Sequence, residues 1–503
     1  MNDDKVSIIG GGIAGLTAAA ILANEGLDVT LFESHYQLGG CAGTFKRGPY
    51  LFDVGATQVA GLEDGGIHER IFRYLHSPLP QATLLDPACL VDLMDGSKPI
   101  RLWHNRQKWI EERKQQFPGT EIFWGLCEWL HLRNWAFNNR NPVLPLANSW
   151  DCWQLIKALR IPNIASALLT PLSITDLLIL TGCYQDKRLR KFLDLQLKLY
   201  SQETADRTAA LYGATVLQMP QAPLGLWHLQ GSMQVLSDYL INSFISKGGK
   251  LLLSHRVVSM QSRKDETTWI IKVINSSGKV KQFQSNDVVF SLPPQCLLKM
   301  IPNDSKPFLA YKKRLESLPN SSGAIVFFGA INRVDLPADI TSHVQLGHHD
   351  LGSLFISISQ DGDGRSPIGK ATVNLSMFTN PSTWNLLDPN SYKEEKEKIL
   401  TNILLILEKD LQIPSKKWLH IELSTPRSFA KWTNRPNGIV GGLGQHPRKF
   451  GLFGLPSRTP LKNLWLCGDS IHPGEGTAGV SQSALMACRQ LLAERGINFR
   501  LPA

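Results

Sequence analysis

The sequence predicts an α/β fold, α+β over its whole length, with two lobes that are each assembled from non-contiguous stretches. Three observations predict it. A glycine-rich turn joins a short apolar strand to a helix near the N-terminal end. A second strand–glycine–helix unit lies near the C-terminal end. Between them run alternating, strand-like strings and a long helical block.

Length and composition bound the answer. At 503 residues the chain exceeds one ordinary domain, and about 150 residues per domain gives about three as a starting value. It is 43% hydrophobic and 19% charged, which can bury a large core and excludes a disordered, collagenous or coiled-coil chain. Lys and Arg total 53 against 43 acidic residues, a formal net charge of +10. Such a balance suits nucleic acid, an anionic lipid surface or a phosphate-bearing cofactor. No nucleic-acid recognition motif accompanies the charge, so nucleic acid drops out. The 8 Cys form no CxxC pair and no zinc-type spacing, so they read as core residues of a reduced compartment, and no metal is expected. His348-His349 beside Asp350 reads as a polar loop. No signal peptide is read before the strand at Val6. Ile161 to Thr175 is uncharged but polar and broken by Pro162 and Pro171, so no transmembrane helix is expected.

The N-terminal unit carries the strongest signal. Val6 to Ile9 is a strand, Gly10-Gly11-Gly12-Ile13-Ala14-Gly15 follows directly, Leu16 to Glu25 is helical, and Val29 to Phe32 is a second strand ending at Glu33. This is a Rossmann-type βαβ unit that binds a dinucleotide. Gly10 makes the tight turn, Gly12 lets a pyrophosphate approach the backbone, and Gly15 lets helix and strand pack closely. Glu33 is placed to accept both ribose hydroxyls of an adenosine, and the helix N-terminus at Ile13 and Ala14 offers free N–H groups to phosphate.

The far end decides between NAD and FAD. Gly39-Gly40-Cys41-Ala42-Gly43 is a second glycine turn. Asn463 to Cys467 reads as a strand, followed by Gly468-Asp469, a loop through His472-Pro473-Gly474-Glu475-Gly476, and a helix opened by Thr477-Ala478-Gly479-Val480 and running to about Arg495. Asp469 suits a ribityl hydroxyl, and the helix start faces the phosphates and the electron-rich edge of a flavin. Both chain ends then close on one cofactor, as the longer FAD requires.

These motifs resemble the FAD-dependent carotenoid desaturase and isomerase family, within the amine-oxidase-like flavoproteins. Phe52 to Leu62, Phe192 to Gln202 and Gly225 to Leu236 are similar to its cyanobacterial carotenoid 3',4'-desaturase branch. The likeness spans essentially the whole chain. Amine oxidases carry arginines around the double glycine, whereas Gln37-Leu38 and Cys41 stand here. The resemblance implies an α/β FAD domain from 1–64, 245–300 and 436–503, and a substrate lobe from 65–244 and 301–435. It also implies that Val257 approaches the adenine through its backbone and that a long apolar polyene is the substrate.

In the middle, Lys250 to Ser259 reads as a strand, Trp269 to Asn275 and Val280 to Phe283 as a hairpin, and Asp287 to Ser291 as a strand stopped by Pro293-Pro294. Residues 65–240 read as largely helical, with Trp103, Trp109, Trp124, Trp129, Trp135, Trp150 and Trp153 crowded together. Residues 324–328, 354–358 and 371–375 read as antiparallel strands, followed by a helix from Ser391 to Asp410. The tryptophans suit core packing or, with 161–180 (Leu168 and Leu178 among its apolar residues), a face dipping into a lipid membrane from its cytoplasmic side. His472 is the titratable group nearest the expected ring and the candidate catalytic residue; Glu475 is a similar candidate, and Arg435 or Lys431 is expected to meet the flavin from the sheet lobe. The favoured activity is desaturation at the 3',4' bond of an acyclic or monocyclic carotenoid. Cis–trans isomerisation with reduced FAD and non-enzymatic prenyl-lipid binding are the alternatives.

Overall fold

The computed structural model describes residues 4–263, 268–302, 306–319 and 321–502. Its N-terminal strand Lys5–Ile9 is the centre of a five-stranded parallel sheet. Asp28–Phe32 and Lys250–Leu252 lie on one side of it, and Asp287–Phe290 and Leu464–Leu466 on the other. One sheet thus draws strands from the beginning, middle and end of the chain. Helix Ile13–Asn24 is apolar all round, and Ile13 to Ala23 are all buried, as befits a helix enclosed on every side. It packs between the sheet and the helices Gln234–Ser246 and Thr477–Glu494.

The strand expected over Lys250 to Ser259 is two strands. Lys250–Leu252 stays in the parallel sheet, Ser254 turns with φ +54°, and His255–Ser262 begins a three-stranded antiparallel sheet. The turn wraps Glu33, whose N–H donates to the Leu252 carbonyl and whose carbonyl accepts from His255. The hairpin Trp269–Asn275 with Val280–Ser285 completes that sheet.

A second, seven-stranded sheet forms the roof of the site. Its order is Trp418–Ser424, Gly323–Asn332, Lys370–Thr379, Gly352–Ile358, His343–His348, Leu90–Asp92, Ile100–Arg101, antiparallel except where Leu90–Asp92 runs parallel to His343–His348. The strand period of two divides its faces. Ile325, Phe327 and Ile331 pack into a core shared with Ile399, Ile403 and Leu407 of helix Pro389–Leu411. Their neighbours Ala324, Val326 and Phe328 face a cavity. The short strands at 90–92 and 100–101, which end that sheet, qualify the reading of 65–240 as largely helical: 2 or 3 residues are too few to show alternation.

The helical block is built on an aromatic core. Trp109 and Trp124 meet edge to face at 5.6 Å, with Phe117, Phe123 and Phe192 around them. The tryptophans therefore do not act as one set. Trp109 and Trp124 are core, Trp103 and Trp129 pack partly buried against it, Trp135 reaches the cavity, and Trp153 is exposed. Among the described residues no helix is long and apolar enough to cross a membrane. Trp109 is 2% exposed and Trp153 53%. Trp109→Ala should cost about 3–5 kcal/mol in denaturant unfolding, and Trp153→Ala should stay within about 0.5 kcal/mol.

Candidate active site

The two glycine turns meet at the C-terminal edge of the parallel sheet. Gly10 lies at φ +102°, and its N–H donates to the Phe32 carbonyl at 2.9 Å. A Cβ on Gly15 would stand 1.9 Å from the Gly10 carbonyl oxygen, so only glycine lets the helix approach this closely. Gly12 differs: a Cβ there meets nothing within 4 Å, because the position opens onto the cavity. Gly39, at φ +111°, donates its N–H to the Gly11 carbonyl at 2.9 Å, and a Cβ on Gly40 would come within 3.3 Å of Gly12 Cα. The turns form one continuous backbone cradle.

Two helices begin at this cradle without a capping side chain. Ile13–Asn24 follows Gly12, and Thr477–Glu494 follows Gly476. Their first N–H groups have no partner within the helix and favour an anion or an electron-rich edge. Gly10, Gly12, Ile13, Ala14, Glu33, Gly39, Gly40, Val257, Gly468, Asp469, His472, Thr477, Ala478, Gly479 and Val480 all line one cavity of about 1210 Å³. Gly15 does not line it; its contribution is the close packing behind the cradle.

Glu33 is already engaged. Its Oε2 accepts the Gly11 N–H at 2.7 Å, and Oε1 accepts the His35 N–H at 2.7 Å and the Ser34 hydroxyl at 3.1 Å. Three of about four lone-pair sites are taken, so a ribose finds a fixed carboxylate with little spare capacity. Asp469 has a partner that the sequence left unassigned: Arg435 Nη2 donates to its Oδ2 at 2.8 Å. Burial works against the Arg435 charge, yet Asp469 and Cys41 together hold its pKa above the usual guanidinium value. Arg435 Nε is buried with no hydrogen-bond partner, a donor free for a ligand. Lys431, the other cation considered for this position, is exposed and lies over Trp432.

His472 sits on the cavity wall, 5.5 Å from the Phe450 ring, with neither ring nitrogen hydrogen-bonded. Burial lowers its pKa to about 4, so the ring is neutral near pH 7 and a weak proton acceptor. Glu475 is shifted oppositely by the same cause: burial raises its pKa to about 8. The cavity continues beneath the roof, past Val326, Phe328, Phe355 and Phe378, to Trp135, Leu155 and Ala167 in the helical block. The helices at its far side, Ser149–Ala158 and Ile161–Ala167, expose Trp153, Ile156, Ile161 and Ile164, with Leu168 next in the chain also exposed. Leu178 departs from the expected apolar face, being fully buried in the helical core. His348, His349 and Asp350 cap the hairpin between His343–His348 and Gly352–Ile358, where His348 Nδ1 accepts the N–H groups of Asp350 and Leu351.

The NAD(P)-binding Rossmann-like domain family matches residues 8–75, which supports a nucleotide or flavin cofactor. Over 98% of its length the chain is 27% identical to prolycopene isomerase 1, chloroplastic, of an Oncidium hybrid cultivar, covering 85% of that protein. It is 24% identical to the 4,4'-diapolycopen-4-al dehydrogenase of Metabacillus indicus, over 65% of this chain and 62% of that one. In fold it is similar to cyclohexylamine oxidase from Brevibacterium oxydans, with a TM-score of 0.63 at 15% identity, covering 97% of this chain and 99% of that one. The chain is thus similar in sequence to a carotenoid isomerase and a carotenoid dehydrogenase, and in fold to an amine oxidase.

The two glycines separate packing from binding. Gly12→Val should leave the unfolding free energy within about 0.5 kcal/mol of the parent while abolishing retention of a dinucleotide or flavin on gel filtration. Gly15→Ala should destabilise the fold itself, by about 3 kcal/mol.

Proposed function

We propose that this homologue of carotenoid isomerases and dehydrogenases is an FAD-dependent carotenoid desaturase, acting at the 3',4' bond of an acyclic or monocyclic substrate. The observation that carries the reading is a single cavity that joins two uncapped helix N-termini to a long apolar channel. The residues fit the cofactor. Gly12 leaves the space, Ile13 and Ala14 present N–H groups to a pyrophosphate, and Glu33 stands where an adenosine ribose would lie. Val257 lies at the adenine end, and Gly39, Gly40, Gly468 and Asp469, with Thr477 to Val480, surround the remainder. When bound, FAD supplies a two-electron acceptor, and the protein supplies position, dryness and charge. The proposed FAD domain comprises 1–64, 245–300 and 436–503, and the substrate lobe 65–244 and 301–435, with helix Gln234–Ser246 crossing the boundary to pack on Ile13–Asn24. His472 then acts as a neutral wall of the reaction chamber.

Cis–trans isomerisation is the second reading, favoured by the nearly full-length similarity to a prolycopene isomerase. Expression in carotenoid-producing bacteria followed by pigment analysis tests both. Desaturation should lengthen the conjugated chain and shift absorption to the red. Unchanged composition with altered double-bond geometry would replace desaturase by isomerase. Binding of carotenoid by a protein that takes up no flavin would replace both by a lipid carrier.

A carotenoid dissolves in lipid, and the exposed apolar helices beside the channel suit peripheral docking on the cytoplasmic side of a membrane, helped by the net charge of +10. Co-sedimentation with anionic vesicles should weaken with salt and fall several-fold in an Ile164→Asp, Leu168→Asp double variant. Unchanged sedimentation would remove these helices from any membrane contact.

A further inference from the structure

Making one C=C bond from two adjacent C–H bonds removes two hydrogens. One leaves with its electron pair, as hydride, to the oxidised flavin. The other leaves as a proton, and the electrons of its C–H bond become the new π bond. A titratable group lining the cavity is placed to receive that proton.

Several titratable groups along the cavity are unsuited or already committed, Glu422 among them through its pair with Arg47. Glu33 is fixed by Gly11 and His35 at the nucleotide end, Asp469 is paired with Arg435, and burial leaves His472 with a pKa of about 4. Burial pushes the Cys41 thiol and the Tyr212 hydroxyl upward, away from neutrality. Glu475 is different. It lines the cavity one residue before the Gly476 that opens the last helix. Its carboxyl is clasped by the Gln202 amide, with Nε2 at 3.0 and 3.2 Å from its two oxygens.

That clasp is built for one orientation. Gln202 ends the helix Lys187–Ser201 in the left-handed region, at φ +58°. Its Oε1 accepts the Ser322 N–H at 3.0 Å, which obliges Nε2 to face Glu475 and the Val440 carbonyl. A Cβ on Gly441 would strike Gln202 Nε2 at 1.9 Å and Glu475 Oε2 at 2.2 Å, so the adjoining backbone is glycine and closes over the pair. A donor aimed at both carboxylate oxygens stabilises the ionised form once it appears, while burial resists it. The charged groups facing Glu475 are Asp469, which opposes ionisation, and Arg435, which favours it. Cys41 and Tyr212 are the other titratable neighbours.

We propose that Glu475 is the catalytic residue that accepts the proton of the desaturation step, a role that rests on the flavin-dependent carotenoid reading above. With flavin bound to accept the hydride, the Glu475 carboxylate would take the proton, and the substrate would gain one C=C bond with no net charge. A pKa of about 8 lies close enough to neutrality for a carboxyl to take up and return a proton at working pH.

The test uses flavin-loaded protein and a carotenoid dispersed in lipid vesicles. Glu475→Gln should keep flavin content and its visible spectrum while slowing flavin reduction by the carotenoid about 100-fold or more. In the parent, that rate should rise with pH through about 8. Infrared difference spectra should show a protonated-carboxyl band that fades over the same range and is missing from Glu475→Gln. Thermal unfolding gives a further readout. A buried carboxyl raised from 4.5 to about 8 stabilises the fold while protonated, and that stability is lost as the pH rises through about 8. Glu475→Gln should flatten that slope. Equal rates in parent and variant, or a band that persists in the variant, overturn the role alone. A parent that binds flavin yet leaves the carotenoid unchanged overturns the functional reading and the role with it.

Discussion

Helix Ile13–Asn24 can lie on the parallel sheet only because Gly15 has no side chain: a single added carbon would stand 1.9 Å from the Gly10 carbonyl oxygen. Everything about the nucleotide end follows from that contact. The close approach aims the first turn of the helix at Gly12 and the open space beyond it. It also sets the helix against Thr477–Glu494, where Thr17 and Ser481 meet at 3.3 Å. Two chain segments separated by 464 residues thereby point their N-termini into one cavity, and the chain between them is free to build the roof and the helical block.

The cavity sorts its titratable groups by charge. Burial lowers the pKa of His472 and raises those of Glu475 and Cys41, so each of the three favours its neutral form. Arg435 is the exception, and it keeps its charge because Asp469 lies against it. One end of the cavity therefore carries fixed polarity from a guanidinium, a carboxylate and two helix starts, while apolar side chains such as Val326, Phe328, Phe355 and Phe378 line the length beneath the roof, with the Arg47–Glu422 pair at its edge. An elongated ligand with a charged or electron-rich cofactor at one end and a hydrocarbon along the rest matches that gradient.

The nucleotide end was legible because its chemistry is local. Gly10, Gly12, Gly15 and Glu33 fall within 24 residues: Gly10 and Gly15 meet backbone requirements of the turn, and Gly12 and Glu33 face the space it opens. The roof strands were legible from alternation, since one face meets helix Pro389–Leu411 and the other meets the cavity. The partners of the polar groups were not. Gln202 lies in one of the family-like stretches, yet its bond to Glu475 crosses 273 residues and no spacing announces it. Arg435 stood beside Lys431 as a candidate cation until the fold placed it on Asp469. Leu178 and Leu168 are equally apolar in sequence; packing of Ile174–Leu180 on the helical core buries the first, while the second, at the end of Ile161–Ala167, is exposed.

The same long-range pairing explains the other family-like stretches. Asp53 and His228 occur in two of them, and the fold brings both to Arg365 and Asp363 in the loop before Lys370–Thr379. Arg365 Nε donates to Asp53 at 2.9 Å and Nη1 to Asp363 at 3.1 Å, while His228 Nε2 lies 2.7 Å from Asp363. All four side chains are 2–3% exposed. Such a cluster gives little net stability over an apolar core, but losing one member costs about 3–5 kcal/mol because a charge is left buried. Its value lies in geometry. Asp53 also accepts the Thr44 hydroxyl and the Met233 N–H, and Arg365 Nη1 donates to the Leu229 carbonyl. The hairpin beside the cradle, the segment leading into helix Gln234–Ser246 and the loop beneath the roof are thereby tied at one point. An apolar cavity of this size has few internal contacts to fix its own width. A buried polar joint outside it, intolerant of partial disruption, sets the roof at a definite distance from the cradle.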